Sequence, residues 1–273
     1  MRCHRLILAG LLPCLTARIG AQRAWLLPDD SRNVSLEVGK TFFKSPTSID
    51  FASFYFVAQG RFPLNQKVAL TVGLPFSRAS ITPSYSGATT TNSTALGNPW
   101  IGAEIVAQPD LVIEAGIRPG IASDASDKEN ALVLGSLGDF DRLEAWAPKT
   151  TSVRAVAHIG RAAATRTFFT GILGGTVFFP AHGGETQYFA NYGLRLGFRE
   201  DGRLATLALT GRANLGHLTE GGSLDARTVH QLTFRVERTG AGFRPFGSIA
   251  SYLDEGLRKG ISAMVAAGAS FTY

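Results

Sequence analysis

Cysteine is all but absent from this chain. There are two, Cys3 and Cys14, both near its start, which excludes a disulfide framework or a thiolate metal cluster for the remainder. Charge is scarce as well: Asp, Glu, Lys and Arg together make 18% of the residues, against about 25% in ordinary soluble domains. No apolar run approaches the roughly 20 residues that a membrane helix needs. The sequence also lacks a phosphate-cradling Gly-rich loop, grouped metal ligands and any nucleic-acid-binding motif. No cofactor and no nucleic-acid partner is therefore expected.

The first residues do carry a pattern. Arg2 and Arg5 make a basic start, residues 6–15 are apolar, and Ile19-Gly20-Ala21 ends in small residues before Gln22. That order predicts an export signal over residues 1–21, cut after Ala21. A lipid anchor on Cys14 is disfavoured by Pro13, where a small residue belongs. Cleavage removes Arg2, Arg5 and Arg18 and no acid, so a net charge of +6 becomes +3 and the case for a polyanionic partner weakens. Residues 22–32 read as a short periplasmic tail. No Pro/Ser-rich linker divides 33–273, which reads as one domain.

Beyond the tail the chain alternates. At its end, Ile261, Ala263, Val265, Ala267, Ala269, Phe271 and Tyr273 share one face of a strand. Ser262, Met264, Ala266, Gly268, Ser270 and Thr272 share the other, and neither face is charged. An exposed edge would normally be guarded by charge or Pro. This strand has neither, so it is expected to be paired on both sides, as in a closed barrel. The same reading gives eleven further strands at 33–42, 48–62, 66–76, 98–107, 111–119, 151–161, 166–179, 187–199, 203–215, 228–237 and 243–253. Residues 168–180 could pass for half a membrane helix, but Gly174-Gly175 interrupts them.

The connections sort by length. Short links at 63–65, 108–110, 163–165, 200–202 and 239–241 alternate with longer ones at 43–47, 77–97, 120–150, 180–186, 216–227 and 254–259. Transmembrane barrels have short periplasmic turns and longer external loops. The expected fold class is thus all-β, a transmembrane antiparallel up-and-down β-barrel of twelve strands with both termini in the periplasm.

Alternation alone does not say which face is outside. Volume does: about eight strands already enclose a core that side chains fill, so twelve strands with Leu and Val inward would surround an empty apolar space. Turned outward, Val68, Leu70, Val72, Leu74 and Phe76 meet lipid, as do Ala205, Leu207, Leu209, Gly211 and Ala213, and Tyr188, Ala190, Tyr192, Leu194, Leu196 and Phe198. Phe76, Phe179 and Tyr188 then mark an outer aromatic girdle and Phe62, Phe198 and Tyr273 an inner one. The strands at 48–62 and 243–253 leave their phase open.

The inward face holds the candidate site. It places Glu37, Glu104 and Glu114 near mid-depth with Arg118 above them. Across from them come Arg154, His158, Arg166, Arg195, Arg199, Arg212 and Arg235, with Asn191, Gln231 and Thr233 between. An acid arc facing an arginine arc would line a pore and orient dipolar solutes. The alternative is that these groups pair and simply fill the lumen. His158 reads more readily as a satisfied lumen histidine than as a titrating gate. In 120–150, Asp127–Glu129 precede Val133, Leu137, Phe140 and Leu143 at helical spacing, and Pro148 stops the run. That short helix could enter the barrel mouth or lie over the outer rim. Residues 77–97, rich in Ser, Thr and Gly, read as a mobile external loop.

Ala95-Leu96-Gly97-Asn98-Pro99-Trp100-Ile101-Gly102-Ala103-Glu104 resembles a segment of outer-membrane barrel transporters of the meta-pathway of phenol degradation type. In that family a Gly-rich segment followed by Asp or Asn opens a strand after a long loop; Asn98 stands where Asp is often found. The resemblance implies uptake of small, often hydrophobic molecules. The terminal Tyr273 on an apolar face resembles the last strand of bacterial outer-membrane barrels, which implies outer-membrane lipid and the barrel-assembly machinery as partners. The expected function is a channel or uptake barrel for a small solute, hydrophobic or anionic, and not an enzyme. Two other classes compete with it. A hydrolase or acyltransferase needs a nucleophile beside an oriented His, whereas His158, His182, His217 and His230 are scattered and no Gly-x-Ser-x-Gly elbow occurs. The third is a structural or adhesive barrel.

Overall fold

The computed structural model describes residues 33–44, 49–84, 89–162, 166–181, 183–216, 227–240 and 242–273. The export signal and the tail expected over 1–32 lie outside the described residues. The strands are β1 (Asn33–Phe43), β2 (Ile49–Pro63), β3 (Val68–Pro83), β4 (Thr91–Leu96), β5 (Trp100–Gln108), β6 (Leu111–Arg118) and β7 (Thr150–Ala162). They continue with β8 (Thr167–Pro180), β9 (Gln187–Glu200), β10 (Arg203–Asn214), β11 (Thr228–Arg238), β12 (Gly242–Tyr252) and β13 (Ile261–Thr272).

Neighbours pair antiparallel, and the sheet closes on itself because β1 meets β13 and β2 meets β3. β4 and β5 share one edge of β3, opposite Phe76–Ile81 and Val68–Gly73 respectively. They are one stave broken at Gly97-Asn98-Pro99, so thirteen strands make a closed antiparallel barrel of twelve staves. Both sides of β13 are paired, which leaves its uncharged edges covered. No helix among the described residues is long and apolar enough to cross a membrane.

The apolar faces turn outward. Leu70, Leu74, Phe76, Tyr188, Leu194, Leu196, Phe198, Leu207, Leu209 and Phe271 are all exposed. A row of exposed Leu and Phe repeated round the wall has no place in water and matches hydrocarbon. The two strands whose phase was open are now fixed. Ser53, Tyr55 and Val57 of β2 are buried inside while Phe54 and Phe56 face out. On β12, Arg244, Phe246 and Tyr252 are buried inside while Phe243 and Ile249 face out.

One expected loop is a wall. β3 runs on to Pro83 and β4 returns beside it, where 77–97 reads as a mobile external loop from composition. The inward residues there are Ser77, Ala79, Ser93 and Ala95, small and fully or nearly buried. They are small because a helix packs on them, and small polar residues give a strand no hydrophobic signature. At a short-turn end the chemistry is plain. Asp201 and Gly202 both adopt positive φ, 45° and 72°, as a two-residue hairpin requires.

The β6–β7 connection holds α1 (Ser126–Gly138) and a 3-10 helix (Phe140–Ala145). Of the two placements open from sequence, it takes the inner one. Leu132, Leu134 and Trp146 are buried against Tyr55, Val57, Ala79 and Ala95 of the inner wall. Phe140 packs among Ala250, Tyr252, Ile261 and Met264. The other short helix, α2 (Glu255–Gly260), sits between β12 and β13 at the long-loop end.

Candidate functional site

The broken stave creates the site. Pro99 has no N–H to give a ladder, and at Gly97 a Cβ would stand 2.4 Å from the Ala145 carbonyl oxygen. Only a residue without a side chain allows the loop so close. Between them Asn98 is fully buried. Its Nδ2 donates to the carbonyls of Glu144, Ala147 and Thr150 at 3.1, 2.7 and 3.2 Å. Its Oδ1 accepts the Ala122 N–H at 2.8 Å. Its own N–H donates to Ala145 at 2.6 Å, and its carbonyl accepts Arg118 Nη1 at 3.0 Å. One side chain thus fastens both legs of the loop to the wall. An Asp in that place has no donor to offer three carbonyls. The amide here does what a carboxylate in its place could not.

From this anchor the loop crosses the lumen. On one side Ser93 Oγ accepts the Ala131 N–H and donates to the Asp127 carbonyl, and Ser53 Oγ donates to the Leu134 carbonyl at 3.2 Å. Tyr252 OH donates to the Leu137 carbonyl at 2.8 Å. On the other side Glu144, fully buried, meets Arg212 Nη2 at 3.0 Å and accepts Thr176 Oγ1 at 3.0 Å. Asn191 in turn donates to Thr176 at 2.8 Å. The Asp141 carbonyl accepts Arg154 Nη1 at 2.9 Å. Arg142 reaches back to Glu37 and to Asp139, the latter at 2.7 Å. Burial by itself would push the Glu144 carboxyl up, but Arg212, Arg154 and Arg118 outweigh it and hold it down to about 2. For Asp139 burial prevails over Arg142, and its pKa is raised.

A cavity of about 540 Å³ lies against this loop and extends toward the short-turn end. Glu37, Glu104, Glu114, Arg118, Arg154, His158, Asn191, Arg195, Arg212 and Arg235 all line it. Two residues of the expected set do not. Arg166 sits at the short-turn rim, largely exposed and paired with Glu200. Arg199 lies near that rim, its N–H bonded to the Arg166 carbonyl, outside the lining.

The two-arc charge picture is replaced by a mixed one. Glu104 is bound by Arg61 at 2.6 Å, a residue left unplaced because the phase of its strand was open. Glu37 is bound by Arg142 of the loop, and Arg235 Nη1 stands 3.9 Å away. Asp139, Asp141 and Glu144 carry acid across to the arginine side. None of these loop residues could be assigned while the loop itself had two possible positions. His158 Nε2 stands 3.9 Å from Glu114.

The scattered histidines hide one assembly. His230 lies on the outer wall, its Nδ1 3.0 Å from Asp254 Oδ1 and its Nε2 2.8 Å from Tyr192 OH. A carboxylate that fixes an imidazole toward a hydroxyl is an arrangement used for proton transfer. Its members are remote in sequence and meet only through strand register. His182 and His217 lie outside the described residues. Among the described residues no group of three His, Cys, Asp or Glu side chains could hold a metal ion.

No family model and no curated protein matches this sequence. Solved structures do match its fold. An outer membrane channel from Pseudomonas putida F1 superposes with a TM-score of 0.61 at 9% identity, over 93% of this chain and 100% of that one. LpxR from Salmonella typhimurium gives 0.51 at 9% identity over 88% and 99%. The translocator domain of the autotransporter NalP from Neisseria meningitidis gives 0.51 at 9% over 92% and 91%. The chain has the fold of outer-membrane β-barrels, and its outward apolar wall suits a bilayer. The expectation that it is not an enzyme has to be corrected. Barrels of this fold include LpxR, an outer-membrane barrel enzyme, beside a channel, and the architecture gives no ground for excluding catalysis.

The anchor yields a prediction. Asn98→Asp should free the loop, since each buried group left without a partner costs about 1–3 kcal/mol. Planar-bilayer conductance should rise and amide exchange over 122–150 should quicken, with the barrel intact by circular dichroism. Unchanged exchange in a folded variant would show that Asn98 is not the fastening.

Proposed function

We propose that this barrel is a gated outer-membrane channel for small anionic solutes, with the inward-folded loop as its gate. The observation that supports this is the state of the guanidinium groups. Arg195 lines the cavity, and its guanidinium makes no hydrogen bond or ion pair among the described residues, with Asp141 and Glu237 acting on it only at longer range. Arg154 Nε, Arg212 Nη1 and Arg244 Nη2 are buried without a partner in the same lining. Open cationic donors of this kind want an acceptor, and a carboxylate or phosphate fits the guanidinium fork. Trp100, Phe140 and Phe246 add aromatic surface for an apolar body. Glu37, Glu104, Glu114 and His158 complete a pore lining that orients the solute. The resemblance of 95–104 to transporters of the meta-pathway of phenol degradation type implies small, often hydrophobic molecules, which suits the apolar body of such a cargo and not its charge. Outer-membrane lipid surrounds the wall in this reading, and the barrel-assembly machinery recognises the terminal strand through Phe271 and Tyr273.

The test is swelling of liposomes in solutes of graded size and charge. Arg195→Gln with Arg235→Gln should lower entry of small carboxylates relative to neutral solutes roughly tenfold, about 1.4 kcal/mol of lost attraction. Equal loss for neutral and anionic solutes, or none, would contradict an anion path.

A second reading, acyl-ester chemistry at the outer wall, rests on the Asp254–His230–Tyr192 chain alone. It expects fatty-acid release from surrounding lipid in reconstituted vesicles and its loss in His230→Ala. Absence of release by the unaltered protein would dismiss it.

A further inference from the structure

A cation on the lipid face of a barrel costs about 2–4 kcal/mol at the bilayer midplane and about 0–1 kcal/mol near the interfaces. Cations on that face therefore sit at headgroup level, where they meet anionic lipid. Two such residues share one patch of this wall. Lys40 lies on the outward set of β1 with the exposed Leu36 and Phe42, while its neighbour Thr41 is buried inside. Arg78 is exposed on β3 between the buried Ser77 and Ala79.

Strand register aligns them. Lys40 pairs with Phe54, and Phe54 pairs with Arg78, so the two cations flank one outward aromatic ring in a single row. Lys40 Nζ stands 5.0 Å from the Phe42 ring centre and 5.3 Å from that of Phe54. Just below, Phe56 and Phe76 meet edge to face at 6.2 Å. The cations are thus embedded in the aromatic girdle at the long-loop end. Neither has a carboxylate partner among the described residues. Adjacent strands lie about 4.8 Å apart, which puts the two backbones about 10 Å from each other. Long side chains from both can converge on one tetrahedral anion.

Two other charges bound the patch. Lys44 shares the outward parity of β1 above Phe42, and its Nζ donates to the Arg258 carbonyl at 2.6 Å. Asp50 is exposed higher on β2, opposite Thr82 in register. The seat for an anion is therefore below Asp50 and between Lys40 and Arg78.

We propose that Lys40 and Arg78 clamp the phosphate of a lipid in the outer leaflet. Its acyl chains then lie down the apolar wall formed by Leu36, Phe56, Leu74 and Phe76. Phosphate is the group that meets an ammonium and a guanidinium together, one as a point charge and the other as a fork. The site is on the opposite side of the wall from the lumen and does not depend on what the lumen carries.

The experiment uses the whole barrel in nanodiscs, titrated with diphosphorylated lipid A, with its dephosphorylated form and with sodium phosphate. The phosphorylated lipid should bind at least roughly tenfold tighter than the dephosphorylated one, as expected for one charge-assisted bond or more. In Lys40→Gln/Arg78→Gln that preference should vanish while channel conductance stays as it was. Both side chains face lipid, Lys40 resting only on the lipid-facing Phe42 and Phe54 rings, and the lipid comparison on the unaltered protein stands even without the variant. Equal affinity for the two lipids, or a preference that survives the double substitution, would overturn the proposal. Competition by free phosphate at the concentration that saturates with lipid would do the same, since it would make the anion alone the ligand.

Discussion

The hydrogen bonds of one buried amide set the character of this barrel. Twelve staves would otherwise enclose a wide wet passage. Asn98 interrupts one stave and uses the interruption to bind the two legs of a long loop, through Ala122 on one leg and Glu144, Ala147 and Thr150 on the other. Because the amide supplies both donor and acceptor, it satisfies backbone groups that a lumen without ordered secondary structure at that point would leave open. Gly97 and Pro99 on either side serve the same end, one by absence of bulk and the other by absence of a ladder donor.

What the loop carries then decides the electrostatics of the lumen. The wall alone has more base than acid along β7 to β11. The loop answers with Glu144 against Arg212, the Asp141 main-chain carbonyl against Arg154, and Arg142 returning to Glu37. A fully buried carboxylate is tolerable only with such partners, and Glu144 has three arginines near it. Among the described residues no ion pair or hydrogen bond reaches the Arg195 guanidinium or one nitrogen each on Arg154, Arg212 and Arg244. The pairing thus fixes the loop, and the uncompensated remainder gives the cavity its attraction for anions.

Much of this was legible in the residues, for physical reasons that differ by region. Strands such as β9, β10 and β13 announce themselves because Leu and Phe alternate with polar side chains across a wall that separates lipid from water. The loop-length parity reports the two sides of a membrane. β4 and the upper part of β3 do not announce themselves, since their inner faces are Ser and Ala packed beneath α1. β2 has aromatics on both faces, Tyr55 inside and Phe54 and Phe56 outside, which blurs its phase and hid Arg61. The loop helix has apolar residues at helical spacing whichever surface it covers, so that spacing could not distinguish mouth from rim. Asp254, His230 and Tyr192 belong to separate segments, and only register brings them together.

The claim on which the rest turns is that α1 lies inside the barrel against β3. An ideal Cβ at Gly135 stands 3.1 Å from the Cβ of Ser77, close to the spacing of a disulfide, about 3.5–4.5 Å. Paired cysteines at these positions, in a chain starting at Gln22 and so otherwise free of thiols, should oxidise to a bridge in intact outer membranes and leave the conductance at its resting value. Two thiols that remain separately open to alkylation in the folded barrel would place the helix elsewhere and contradict the account.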